Sequence, residues 1–143
     1  MLLVEGCKTA PKSAGVINAA NARTLSILVC DYSTTHDAMP SNIYILDLSA
    51  VSCGDRHARF SDLRCVSGDK KNEADFLYFR SPGRFSKVDP NIIVLASPFA
   101  PALGDRRLVV TASGTTSYLN ESEFLEAMTK GKIEGQQDAP SNR

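Results

Sequence analysis

The sequence predicts a mainly β, α+β fold: an antiparallel sandwich or barrel of about six strands with one C-terminal helix, a short N-terminal helix being left open. Three observations predict it. Apolar runs rich in β-branched and aromatic residues recur about every 10–15 residues. Between them lie Pro, Gly, Asp and Asn turn chemistry rather than helical patterns. Only the segment from residue 120 onward combines a helix start, an apolar stripe and a stop.

Length and composition fit one domain. A chain of 143 residues can bury about two-thirds of its unfolded surface, so stability requires neither a disulfide nor a metal. Its 43% apolar and 22% charged fractions are ordinary for globular proteins, which excludes wholesale disorder. Sixteen basic and sixteen acidic side chains cancel. That balance argues against nucleic acid or a membrane surface as partner, and it weakens the self-repulsion that opposes self-association. Glu5 ends the apolar run that starts at Met1 before it reaches signal-peptide length. The apolar run at residues 92–103 is too short to span a bilayer and holds Pro98 and Pro101. A soluble, cytoplasmic protein is the expectation, with Cys7, Cys30, Cys53 and Cys65 as free thiols, Cys30 and Cys65 buried in apolar strands. Residues 1–134 form a single globular domain and 135–143 a disordered tail.

Taken in order, Ser13 is placed to cap a short helix over residues 15–23, weakened by Gly15 and two asparagines. Residues 24–30 read as a strand, followed by a loop to residue 42. Residues 42–51 read as a strand covered on both sides, since apolar residues occupy both alternating sets. Residues 58–66 form a more exposed strand, with Arg59, Asp62 and Arg64 interleaved among Phe60, Leu63 and Cys65. A polar turn at 67–73 leads to an aromatic strand at 75–80, and Pro82-Gly83 turns the chain. Residues 91–96 are apolar enough for a central strand. Prolines stop the ladder over 97–105, and residues 106–113 form the last strand. Asn120 and Glu123 are spaced as a capping box, Phe124, Leu125 and Met128 make the stripe, and Gly131 is the expected C-cap.

Three groups of residues bear on chemistry. Cys53, His57 and Cys65, with Cys30 or His36 as a fourth ligand, have the donor atoms of a zinc site, but no tight Cys-x-x-Cys pair is present. A buried thiol beside a surface histidine explains the same letters. Cys30 or Cys53 could pair with His36 or His57 and with Asp31, Asp37 or Asp55 as a nucleophilic set, but nearness in sequence does not assemble one. The nucleophile elbow, the phosphate-cradling loop and the dinucleotide fingerprint are absent. No catalytic residue, metal or cofactor is therefore assigned.

Basic residues concentrate in the middle of the chain. Arg56, Arg59, Arg64, Arg80 and Arg84, with Arg106 and Arg107 further on, could bind phosphate or carboxylate, with Tyr78 as a stacking face. The plainer reading pairs these arginines with the interleaved aspartates. Pro98, Phe99, Pro101 and Leu103 form an apolar loop, either a plug for the sheet or an interface patch. The leading functional expectation is a non-enzymatic binding or assembly module that forms a homo-oligomer or meets a protein partner. The alternatives are a binder of an anionic, nucleotide-like small molecule and a small hydrolase or transferase using His36 or His57.

Overall fold

The computed structural model describes residues 2–3, 13–98 and 106–135. In chain order the elements are β1 (Leu2–Leu3), α1 (Ala14–His36), β2 (Val51–Cys53), β3 (Arg56–His57), β4 (Cys65–Val66), β5 (Glu73–Ala74), β6 (Leu77–Tyr78), β7 (Ile93–Ala96), β8 (Arg107–Thr111), β9 (Thr116–Leu119) and α2 (Glu121–Gly135). Short 3-10 turns interrupt the chain at Ile43–Ile45, Phe60–Leu63 and Phe85–Lys87. The α+β class is the one predicted, with a helix near each end and antiparallel pairing throughout except between β1 and β2. The sheets are β1-β2-β3, β4-β5 and β6-β7-β8-β9, with no closed barrel among the described residues. No helix among those residues is long and apolar enough to cross a membrane.

The four-stranded sheet is covered on both faces. On β8, Leu108 and Val110 join a core with Leu25 and Val29 of α1, whereas Val109 joins Phe124 of α2. Alternation along a strand sends these two sets to opposite faces, so α1 and α2 sandwich the sheet. Strands buried on both faces must be apolar throughout. That explains the unbroken apolar runs at residues 93–96 and 108–110, where every residue is buried, and leaves Arg107, also buried, as the exception. The register slips between Ile93 and Leu95, and Val94 and Leu95 both belong to the α1-side core. A bulge of this kind breaks strict alternation.

The strand expected at residues 24–30 is helix instead. α1 starts at Ser13, whose Oγ accepts from the Val16 N–H, and runs without a break to His36. Its buried positions include Ala14, Asn18, Ala22, Leu25, Val29 and Ser33, a recurrence every three or four residues that only a helix turns to one side. The β-branched Thr24, Ile27 and Val29 favour strand locally, and the longer period outweighs them.

The strand expected at 42–51 is likewise replaced, by the 3-10 turn at Ile43–Ile45. Asn42 Oδ1 accepts from the Tyr44 N–H and Asp47 Oδ1 from the Ser49 N–H. Such local side-chain bonds compete with a ladder and bend the chain. Within 58–66 only β4 pairs as a strand, because Asp62 Oδ2 accepts from the Arg59 N–H and folds 60–63 into a turn. β9, which follows a turn at Gly114 (φ 88°), has no counterpart in the sequence reading. α2 begins as predicted: Asn120 Oδ1 accepts from the Glu123 N–H and Glu123 Oε1 from the Asn120 N–H. It does not stop at Gly131 but continues to Gly135. The tail at 136–143 lies outside the described residues.

Two asparagines fasten α1 to β4. Asn18 Nδ2 donates to the Val66 carbonyl at 2.8 Å while the Val66 N–H donates to Asn18 Oδ1 at 2.7 Å. The side-chain amide thus serves Val66 as a neighbouring strand would. One turn on, Asn21 Nδ2 donates to the Arg64 carbonyl at 3.0 Å, and its Oδ1 is buried without a partner. Asn18→Ala leaves the Val66 N–H unsatisfied and its carbonyl with only the weak Cys65 thiol donor, and is expected to cost about 2–4 kcal/mol. In a domain of this size that lowers the melting temperature by about 5–15 °C. Asn21→Ala removes one bond together with an orphan acceptor, so about 1 kcal/mol or less is expected. Equal losses in urea titrations of the two variants would contradict the pairing described.

Candidate functional site

The arginines singled out from sequence do not gather at one place. Arg56 grips Asp62 with both terminal nitrogens, at 2.8 and 3.0 Å, and Arg64 Nε donates to Asp75 Oδ1 at 3.1 Å. Arg59 is exposed beside them and contributes its backbone N–H to Asp62. A second group surrounds the end of α1. Arg84 Nε donates to Asp37 Oδ2 at 2.6 Å, the Ser86 N–H donates to Asp37 Oδ1 at 3.0 Å, and Arg80 Nε donates to the Met39 carbonyl at 3.2 Å. Asp37 takes the left-handed conformation (φ 49°) that ends the helix. A third group is internal. Arg107 is buried, donates to Glu121 Oε1 and to the Ser97 carbonyl, and lies 4.6 Å from the centre of the Phe124 ring. It ties α2 to the sheet. Arg106 is exposed at the start of β8.

Most of this positive charge is therefore already paired. The Arg84 guanidinium holds the Asp37 carboxyl below its ordinary pKa, and Arg56 does the same for Asp62. Tyr78, expected as a stacking face, is buried, and its hydroxyl donates to the Pro40 carbonyl at 2.7 Å. Burial also raises the pKa of that hydroxyl.

Two open clefts are lined by described residues. The larger, about 290 Å³, lies between the turn at 42–44 and residues 75–78, including edge strand β6. Tyr44 lines it, 54% exposed, and its ring meets Phe60 edge-on at 5.3 Å; Ile45, the next residue in the chain, is 45% exposed. The Tyr44 hydroxyl donates to Asp75 Oδ2. Burial raises the pKa of the Asp75 carboxyl, and the Arg64 guanidinium opposite favours its charged form. The second cleft, about 230 Å³, is polar and includes Asn21, Ser61, Asp62, Arg64, Lys70 and Glu73 in its lining. The Arg64–Asp75 pair links the two, with Asp75 in the lining of the first and Arg64 in that of the second.

Sequence reading missed the larger cleft because it placed residues 42–51 in a doubly covered strand. The available signal was Asn42 with Asp47, two Asx residues five positions apart, each able to turn the chain.

The remaining candidates are dispersed. His36 is exposed at the end of α1, stacked on Tyr32 with 4.0 Å between ring centres, and His57 is exposed on β3. Neither lines either cleft. No three His, Cys, Asp or Glu side chains come together as metal ligands among the described residues, so Cys53, His57 and Cys65 do not form the grouping weighed for zinc. The expectation of four free thiols is corrected, since Cys53 is disulfide-bonded. Cys65 is a free, buried thiol as expected, whereas Cys30 is free but exposed, because the helix turns it outward. Pro98 is half-buried, and Phe99, Pro101 and Leu103 lie outside the described residues.

No family model, curated protein or solved structure matches the chain.

The two free thiols differ sharply in environment, which makes them a probe of the fold. Burial pushes the Cys65 thiol up to about 12, so at neutral pH almost none of it is the reactive thiolate. A thiol reagent is expected to modify Cys30 in the native protein and Cys65 only after unfolding. Prompt modification of both in the native state would contradict the packing of β4 under α1.

Proposed function

We propose that the chain is a non-enzymatic binding and assembly module whose recognition site is the cleft at Tyr44. One observation carries this reading: Tyr44 lines an apolar cleft with its large ring half-exposed, and Ile45, the next residue in the chain, is half-exposed as well. Leaving such a pair in water forgoes burial that a partner could supply. A tyrosine suits the role because its ring offers a broad contact area at small entropic cost and its hydroxyl keeps a polar anchor, here Asp75. The partner is taken to be a protein surface offering an apolar or aromatic side chain.

A second reading, a site for a small anion, draws on the polar cleft, where Ser61, Arg64 and Lys70 meet. Against it stands the pairing of Arg64 with Asp75 and the presence of Asp62 and Glu73 in the same lining. A hydrolase or transferase using His36 or His57 gains no support from their positions. The disulfide at Cys53 favours an oxidising compartment over the cytoplasmic setting expected from the sequence.

The test uses 1-anilinonaphthalene-8-sulfonate, an aromatic anion small enough to probe both clefts. Its fluorescence is expected to rise saturably with the native protein, and Tyr44→Ala is expected to weaken binding about tenfold, about 1.4 kcal/mol, with an unchanged circular dichroism spectrum. Absence of binding, or equal binding by the variant, would contradict the cleft reading. Inorganic phosphate that raised the melting temperature of the wild type but not of Arg64→Ala would move the site to the polar cleft.

A further inference from the structure

The four-stranded sheet ends at β9, and the hydrogen-bond phase of that strand fixes what its outer edge offers. Residues 107–110 of β8 pair in register with residues 119–116 of β9. In the same register the Thr111 N–H donates to the Thr115 carbonyl at 3.0 Å, which makes that pair a hydrogen-bonded one. Bonded and non-bonded pairs alternate along an antiparallel ladder. Val109–Ser117 and Arg107–Leu119 are therefore bonded, and Leu108–Tyr118 and Val110–Thr116 are not. The other side of β8 agrees, because the Leu108 carbonyl accepts from the Ser97 N–H and the Ala112 N–H donates to the Ile92 carbonyl, both toward β7. The N–H and C=O groups of Thr116 and Tyr118 consequently point away from the sheet.

This edge lacks the features that usually protect one. Residues 114–120 are Gly-Thr-Thr-Ser-Tyr-Leu-Asn, without a charge or a proline. The side chains of Thr116 and Tyr118 are exposed, and among the described residues no strand pairs with β9 on that side.

We propose that β9 is a self-pairing edge, whose partner is β9 of a second copy of this chain, antiparallel about a two-fold axis through Ser117. The outward groups are self-complementary in that register. Thr116 of each copy faces Tyr118 of the other, and each of these two pairs exchanges both of its hydrogen bonds. Thr115 then lies opposite Leu119 and Gly114 opposite Asn120, so no like charges meet. A chain whose formal charge is zero adds no long-range repulsion between copies. The two four-stranded sheets become one continuous eight-stranded sheet. The proposal supplies the partner for the assembly half of the reading above and leaves the Tyr44 cleft free in the dimer.

Sedimentation equilibrium from about 1 µM to about 1 mM protein covers the range in which weak dimers form. The wild type is expected to pass from one to two copies of 15.4 kDa over that range. Thr116→Pro removes an outward N–H without removing a bond to β8, and is expected to stay monomeric. Thr116→Lys, which places a cation on the paired edge of both copies, is expected to do the same without altering the backbone. Wild-type protein that stays monomeric at the highest concentration overturns the proposal. So does a dimer that survives in both variants with a native circular dichroism spectrum. Dye binding at the Tyr44 cleft is measured on the same samples. Its retention in monomeric Thr116→Lys separates the edge from the cleft, and its loss while wild-type dimerisation persists defeats the cleft reading alone.

Discussion

The amide of Asn18 makes both hydrogen bonds to Val66, and the rest of the molecule is arranged around that contact. β4 has only two residues and pairs with the equally short β5, so the small sheet cannot hold its own position. The buried asparagines of α1 supply the missing neighbour, with Asn21 bonding the Arg64 carbonyl one turn away. With α1 anchored there, Leu25 and Val29 are carried over β7 and β8, and Arg64 is carried to the lining of the polar cleft. A polar pair thus sets the register of an otherwise apolar interface, where Leu and Val alone would permit sliding.

Electrostatics follow the same economy. Arg56, Arg64, Arg84 and Arg107 each meet a carboxylate, on Asp62, Asp75, Asp37 and Glu121. Exposed pairs of this kind contribute little stability. Their larger effect is to remove charge that a phosphate-bearing ligand would need. Arg107 differs, since it is buried and also satisfies the Ser97 carbonyl and covers the Phe124 ring, so its role is to dock α2. The recognition proposed for this chain accordingly rests on uncharged features, the Tyr44 and Ile45 side chains and the edge of β9.

What was legible in the sequence was whatever a single short-range pattern encodes. The capping box of Asn120 and Glu123 predicts the start of α2 because its two bonds are local. The apolar run at residues 91–96 predicts a central strand, and β7 lies inside the four-stranded sheet with every residue buried. Residues 24–30 went the other way because their strand-like composition concealed a helical period that becomes visible only when Ala14, Asn18 and Ala22 are counted with Leu25 and Val29. Asn18 and Asn21 looked like weak points of a short helix, whereas their function is set by Val66 and Arg64, more than forty residues away. The Tyr44 cleft was hidden for the opposite reason, since alternation over residues 42–51 suggested a ladder that Asn42 and Asp47 prevent. The pairing of arginines with interleaved aspartates was legible in kind, and which aspartate each one meets was set by the tertiary fold.

Amide hydrogen exchange at Val66 tests the central claim most directly. If the Asn18 amide stands in for a neighbouring strand, the Val66 N–H exchanges only when α1 leaves the core, at the same opening free energy as the amides of Leu25 and Val29. The account predicts equal protection at these three sites. A Val66 amide that exchanges as fast as the exposed turn at Gly68, while Leu25 and Val29 remain protected, would contradict it.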